Sequence, residues 1–560
     1  MKQYILIAML GCSIQIHAQT ATKDTTLQRI LILEKEYNPI IDKASKINIL
    51  PEIKEPQAPQ VKIEFSNFST PANIQPEPSQ VDAAQYFTDL ESSKKKGYVR
   101  AGISTFVNVD GDAGYQILNN ETDELSVWFT HRSSYGNVKS LQTNDKKKLE
   151  LNDNIGAFRY SHNFGASKLF ADAKYTFSKF NDFGGVLLES PLLTNNILDA
   201  NLGFFSKNTL PLNIFSAMNF THFRQKDKTG HELKDNMIRV NFDFNKDFDS
   251  DKLIGLAGYF RTNSYSVLNY TDPITDIYKH YIDWNFNFNP YFKMEGDNWK
   301  MRLGAFAHLL LNQKIKIIFT PDVELSFKPY ESGLLYLTAK GKVADNSYSN
   351  IFYENRYISP VIRVSDSYTQ LNGTVGFKTT VSGIFDVDFY TGYEITEREH
   401  FYLSTHISHS ESNDPALLPY NIIYYDTKVF KLGTKLKYQY QKMFDISLKA
   451  INYHWKVNQI GAEAWNKPSF ESDLTAGFQF QTIPLRTDLT YHLEAGRKSR
   501  IHDIVNMKNI NEVNLMGTYT FNHTLSIFAK IDNLLNQQYD IWYGYPAQGT
   551  QFMGGLSVKF

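Results

Sequence analysis

The chain has a single cysteine, Cys12. One thiol excludes an internal disulfide framework and any multi-cysteine metal site. There is also no run of about 20 consecutive apolar residues, the length a membrane-crossing helix requires. Charge of neither sign is in excess, with 58 Lys and Arg against 59 Asp and Glu. Nucleic-acid binding, which relies on a basic surplus, is therefore not expected. Neither is an acidic disordered chain. The sequence lacks G-x-S-x-G, H-E-x-x-H and a phosphate-binding loop, so neither an enzyme nor a bound cofactor is expected. Aromatics are abundant instead: 40 Phe, 34 Tyr and 6 Trp, 14% of 560 residues, beside a mean hydropathy of −0.38. An aromatic chain of negative hydropathy has to interleave apolar and polar residues finely.

The first residues read as an export signal. Lys2 carries charge, Tyr4 to Ile16 are mostly apolar but too few to span a bilayer, and Ala18 stands at the cleavage position. Residues 1–18 are thus expected to be a signal peptide, whose removal leaves no thiol. Lipidation at Cys12 is the alternative, but Met9-Leu10-Gly11 fits a lipobox poorly. Residues 19–97 form a second region. Seven of the 19 prolines (Pro39, Pro51, Pro56, Pro59, Pro71, Pro76 and Pro78) fall in it, which favours extended chain over an independent core.

From residue 98 to 560 the pattern has period two. Ile238, Val240, Phe242 and Phe244 alternate with Arg239, Asn241 and Asp243; Val513 and Leu515 alternate with Glu512, Asn514 and Met516. Successive strand side chains point to opposite faces, so each segment has one apolar and one polar side. We count about 22 such segments. Connections after even-numbered segments are short, as at Gly165-Ala166 and Asn522-His523. Those after odd-numbered ones are mostly long, the extremes being 344–368 and 395–425. The exceptions are a tight Asp110-Gly111 hairpin and residues 311–315. Segregated loop lengths and an even strand count point to an all-β, transmembrane antiparallel β-barrel of an outer membrane, with periplasmic short turns and a periplasmic N-terminus. A soluble array of β-sandwiches would alternate but would not segregate its loops.

The C-terminus carries a local motif. Asn533-Leu534-Leu535-Asn536 is followed by Tyr539, Tyr545-Pro546, Gly549, Phe552, Gly555 and a terminal Phe560. This resembles the last strands and loop of TonB-dependent receptors, although Thr550 stands where that family has Arg. The resemblance implies transport or uptake, and a terminal Phe560 read by the barrel-assembly machinery. It also implies an N-terminal plug and a TonB-binding box. Only the 78 residues 19–96 are available for a plug, and no TonB box is evident in them. The stretch from Glu34-Lys35-Glu36-Tyr37-Asn38-Pro39 through Ile49-Leu50-Pro51 looks like the lead segment of plug-less relatives. An open barrel of 22 strands has a wide lumen, so inward-folded loops, the tail or a plugging partner should fill it.

Candidate sites follow from this layout. Arg239, Asp243, Glu512, Lys530 and Asp532 are expected to line the lumen, their mixed signs arguing against strong ion selectivity. His400, His406 and His409 fall in the longest predicted loop with Glu411 and Asp414, a donor set that suits a transition metal. Their spacing matches no metal signature, and a solvated loop is the plainer expectation. Lys146-Lys147-Lys148, in a predicted extracellular loop, could meet lipopolysaccharide phosphates or simply be solvated. Tyr539 to Tyr545 could stack on a sugar or lie against lipid headgroups; an upper aromatic girdle or a loop folded over the lumen is the plainer expectation. Expected partners are outer-membrane lipid, lipopolysaccharide, the assembly machinery and a lumen-plugging or periplasmic protein, with TonB open. The other function class is a structural barrel that docks envelope partners without transporting.

Overall fold

The computed structural model describes residues 95–560, except 185–191, 207–211, 229, 231, 269–279, 312–314, 360–363, 408–415, 442 and 501–502. The proposed leader and nearly all of the Pro-rich segment lie outside the described residues. Among the described residues, 22 strands form one antiparallel sheet closed on itself. The closing seam joins Gly97–Ser104 to Gln551–Lys559, with Tyr98 opposite Lys559 and Ser104 opposite Met553. Closure is what lipid demands, because backbone N–H and C=O groups have no water to bond and a free edge would leave them unpaired.

Alternation fixes which face meets lipid. On Glu232–Asp249, Phe244 is exposed on the outside, whereas Arg239, Asn241 and Asp243 point inward, Arg239 donating to Asn241 and Asp243 accepting from Asn245. On His280–Glu295, Ile282, Trp284 and Phe288 are exposed while Asn285, Asn287 and Asn289 are buried within. The chain enters the sheet at the short-turn rim. There Gly97 and Phe560 exchange both backbone hydrogen bonds at 2.9 Å, and the Lys95 ammonium donates to the Thr524 hydroxyl at 2.6 Å.

Four sequence expectations are corrected. Asp110-Gly111 is not the first hairpin: both lie inside strand Val109–Asn119, opposite Gly102 and Ala101. The turn occupies 105–108 and is made by Phe106 and Val107 at φ 67° and 56°, a conformation that propensity rules assign to Gly and Asn. The 395–425 loop is largely strand. Phe385–Ile407 continues through a register shift between Thr396 and Glu399, where Arg398 has φ 56°, and pairs with Ala416–Tyr440. One kinked residue lets the ladder resume beyond it, so the strand count is unchanged. Lys146 to Lys148 open strand Lys146–Asn163 rather than lying in a loop, and Lys147 turns inward to the Gly184 carbonyl at 3.1 Å. The fourth correction concerns the inner face, which is not polar throughout. Toward the long-loop rim it becomes apolar, with Leu149, Leu151, Phe180, Leu193, Ile197, Phe223, Leu233, Tyr265 and Val267 facing the lumen as one cluster.

Candidate functional site: the loop-filled mouth

An apolar inner face inside a barrel needs a partner, since the hydrophobic effect favours its removal from water. Two connections supply it. The first is 345–366, at the place expected for the long connection 344–368. It carries helix α1, Tyr348–Glu354, whose Tyr348, Ile351 and Phe352 are buried against the wall. These residues recur at i, i+3 and i+4, one face of a helix. Tyr348 stacks on Tyr265 at 4.9 Å, and Phe352 packs on Phe223 at 5.8 Å and Phe180 at 6.0 Å. The second connection is 533–550, which brings Trp542 and Tyr545 into the same cluster. The aromatic run 539–545 is thus a loop folded over the lumen rather than a girdle. The two loops meet where Tyr357 stacks on Tyr545 at 3.9 Å and 24°.

Polar contacts pin both loops. Arg261, 3% exposed, reaches Asp345 at 2.9 Å and Asp366 at 2.5 Å, tying the two ends of the first loop to one wall residue. Burial pushes the Asp366 carboxyl up, and the Arg261 charge opposes that rise. The Tyr348 backbone N–H donates to Asp235 at 2.7 Å at the start of α1. Beyond the helix, Arg356 bonds Asp153 at 3.2 Å. At the end of α1, Glu354 accepts from Tyr402 at 2.7 Å and pairs with His400 Nε2 at 2.7 Å. Burial alone would raise this carboxyl, but His400, the Lys467 charge and the Tyr402 hydroxyl together outweigh it and hold it at about 2. In the second loop, the Tyr545 hydroxyl donates to Asp182 at 2.5 Å, and the Tyr420 hydroxyl to the Tyr543 carbonyl at 3.0 Å. The Arg497 guanidinium donates to the carbonyls of Ile541 and Asp540, each at 2.9 Å.

The predicted site residues divide between wall and mouth. Arg239 lies over Tyr259 at 3.9 Å and donates to Asn241 at 3.0 Å; Asp243 accepts from Tyr291 at 2.8 Å. Glu512 accepts from Asn514 at 2.9 Å and from Tyr539, and Lys530 pairs with Asp532 at 2.9 Å. His400 is buried at the Glu354 contact instead of standing on a solvated loop. His406 belongs to strand Phe385–Ile407, while His409, Glu411 and Asp414 lie outside the described residues. Among the described residues no cluster of three or more His, Cys, Asp or Glu could hold a metal. Arg261, Asp345, Asp366 and Asp182 were missed, because a single charged residue in an alternating strand or loop has no local signature.

No family model matches the chain, and no curated protein is similar to it. Solved structures are. The FrpB iron transporter from Neisseria meningitidis, in its F5-1 apoprotein form, aligns with TM-score 0.65 over 84% of this chain and 81% of that one, at 10% identity. The siderophore receptor PirA from Acinetobacter baumannii gives 0.64 over 83% and 80%, at 8% identity. The copper transporter OprC gives 0.61 over 83% and 80%, at 11% identity. The chain has the TonB-dependent-receptor barrel fold. The resemblance carried by the C-terminal motif therefore holds at the level of fold.

Proposed function

We propose that this receptor-type barrel takes up a solute across the outer membrane and that the loops 345–366 and 533–550 gate its lumen. One observation carries the reading: the two loops meet inside the mouth, at the Tyr357–Tyr545 stack, on an inner wall that is apolar where they touch it. The similar solved structures include an iron transporter, a siderophore receptor and a copper transporter, which supports uptake as the function class. In this reading Arg239, Asp243, Glu512, Lys530 and Asp532 line the route below the gate. Residues 1–18 direct export, and 19–97 serve as a periplasmic or lumenal segment. Phe560, at the short-turn rim, is the assembly signal. Lipopolysaccharide contacts, a plugging partner and TonB coupling belong to the same proposal.

Single-channel conductance in planar bilayers tests it. The intact chain is expected to be closed or to open briefly, and a chain lacking residues 346–365 is expected to conduct steadily. If neither that deletion nor removal of residues 19–96 opens a channel, the barrel is a scaffold that docks envelope partners. Binding of the exported full-length chain to the C-terminal domain of TonB tests energised import separately, and no binding would remove it.

A further inference from the structure

Polar side chains on the outer face of a membrane barrel are costly unless they are bonded. Several on this wall bond to one another across strands. His131 meets Asn154 at 2.8 Å, Tyr175 donates to Asn196 at 2.6 Å, and His222 meets Asn236 at 2.7 Å. Strands Ala416–Tyr440 and Phe444–Val457 depart from this. On their outer face Lys428 stands directly opposite Lys456, Phe430 opposite His454, and Leu432 opposite Asn452. Lys428, Lys456, His454 and Asn452 are exposed, and among the described residues none has a side-chain hydrogen bond or ion pair. Like charges directly opposite on one sheet face repel, a cost that an anion between them would remove. The acidic groups above the pair are engaged. Asp426, two residues above Lys428 on the same face, accepts the Arg398 backbone N–H at 3.0 Å. Glu397 holds Lys316 and Gln370, and Glu399 pairs with Lys467.

The register gives the depth of this pair. It lies one residue below Thr427 and Val457, the last partners at the long-loop end of the two strands. Tyr393 and Phe430, opposite each other and both exposed, form an aromatic row just beneath it, as in the outer girdle of a barrel. Below that row the outer wall is hollowed. A groove of about 590 Å³ is walled by Leu335, Val375, Phe389, Leu432 and Phe470, with the small Thr434 and Ala450 opposite each other between them. Asn452 lies at its upper end, flanked by Leu432 and Phe470. The Thr391 hydroxyl in the groove is spent on the Lys431 carbonyl at 3.1 Å, whereas that of Thr434 is buried without a partner. From the rim inward the wall thus offers two cations, an aromatic row, a free amide and an apolar groove. A phosphorylated, acylated lipid carries its groups in that order.

We propose that this face is a binding site for lipopolysaccharide, with a phosphate of its lipid anchor between Lys428 and Lys456 and one acyl chain in the groove. Asn452 then donates to a carbonyl of the acyl linkage, which gives an amide in lipid its missing partner. A second copy docked symmetrically on this face would set lysine pairs against each other. The site rests on the barrel standing in an outer membrane, and not on uptake. It is read by labelling rather than conductance, so a chain that conducts yet shows no preference at this face loses the site alone.

The test uses the full-length protein in phosphatidylcholine vesicles that hold a trace of lipopolysaccharide. A photoreactive benzophenone amino acid replaces Phe389 in the groove, and in a separate protein Phe288, an exposed residue on the outer face of His280–Glu295. Mass spectrometry after illumination is expected to show lipopolysaccharide adducts several-fold more abundant at Phe389 than at Phe288. Val375 provides a second groove reporter should the Phe389 variant fail to fold. Lys428→Ala/Lys456→Ala should bring the groove reporter down to the level of Phe288, and Asn452→Leu should lower it less. Lipopolysaccharide stripped of its phosphates should label both positions alike. Equal labelling by intact lipopolysaccharide, or a preference that survives the lysine substitutions or phosphate removal, would overturn the site. So would equal enrichment of trace phosphatidylglycerol, or a protein–protein adduct at Phe389 in place of the lipid.

Discussion

The lower and upper inner walls of the barrel come from the same strands, yet they pack by opposite rules. The lower wall is a polar belt. Asn201 donates to Asp172 at 3.3 Å, Asn219 to Asn201 at 2.9 Å, and Asn241 to Asn219 at 2.8 Å, so side-chain amides bond from strand to strand around the lumen. Farther round, Arg302 and Asn289 both reach Asp322, at 2.7 and 2.8 Å. Each of these side chains finds a partner in the wall itself, although Asn289 Oδ1 is left without one. The upper wall is an aromatic and aliphatic face that only the loops satisfy. A barrel can therefore carry two environments on one surface, self-sufficient below and dependent on distant chain above.

The largest effect should come from the residue that joins the two. Replacing Arg261 by Ala leaves Asp345 and Asp366 buried without their cation, at a cost of about 3–5 kcal/mol. Hydrogen exchange should rise sharply in 345–366 while the wall strands stay protected; equal loosening of both would break the distinction. Tyr348→Ala removes a buried aromatic and should cost about 3–5 kcal/mol, read as protease cleavage within 345–366 in an otherwise resistant barrel.

Acid offers a reversible version. The Glu354 carboxyl is held at about 2 when folded, against about 4.3 in an unfolded chain. A depressed carboxyl contributes stability that is complete above the unfolded value and is lost as pH falls through the folded one. Loop exchange should rise as pH drops from about 4.3 toward 2, by an amount Glu354→Gln reduces; an unchanged profile in that variant would assign the effect elsewhere. Tyr545→Phe deletes the bond to buried Asp182 and should cost about 1–3 kcal/mol, loosening the second loop. The smallest change is expected in the belt. Asn219→Ala removes one member of a redundant amide row, about 1 kcal/mol in urea unfolding, with both loops unaffected.

Much of the wall was legible in the sequence, because a period of two is a local property and the barrel is built from neighbours in sequence. Starts expected near 167, 252, 280, 485, 510 and 551 coincide with Ser167, Lys252, His280, Leu485, Ile510 and Gln551. The starts expected near 154 and 426 fall too late, since the strands begin already at Lys146 and Ala416. The mouth was partly legible. The aromatic run 539–545 allows a loop over the lumen as well as a girdle, whereas Tyr265, Phe223 and Phe180 read as ordinary strand residues. His400 looked like a loop ligand because nothing local signals that a kink at Arg398 lets the strand resume.

By itself the sequence determined the architecture: an all-β chain, alternating through strands long enough to cross lipid. The physical reason is that strand faces and closure follow from side-chain periodicity and from the need to pair every backbone group. Only the tertiary structure decided that two connections fill the mouth and that Arg261 holds both ends of one of them. Those outcomes depend on contacts between residues far apart in the chain, whose burial and partners no local pattern records.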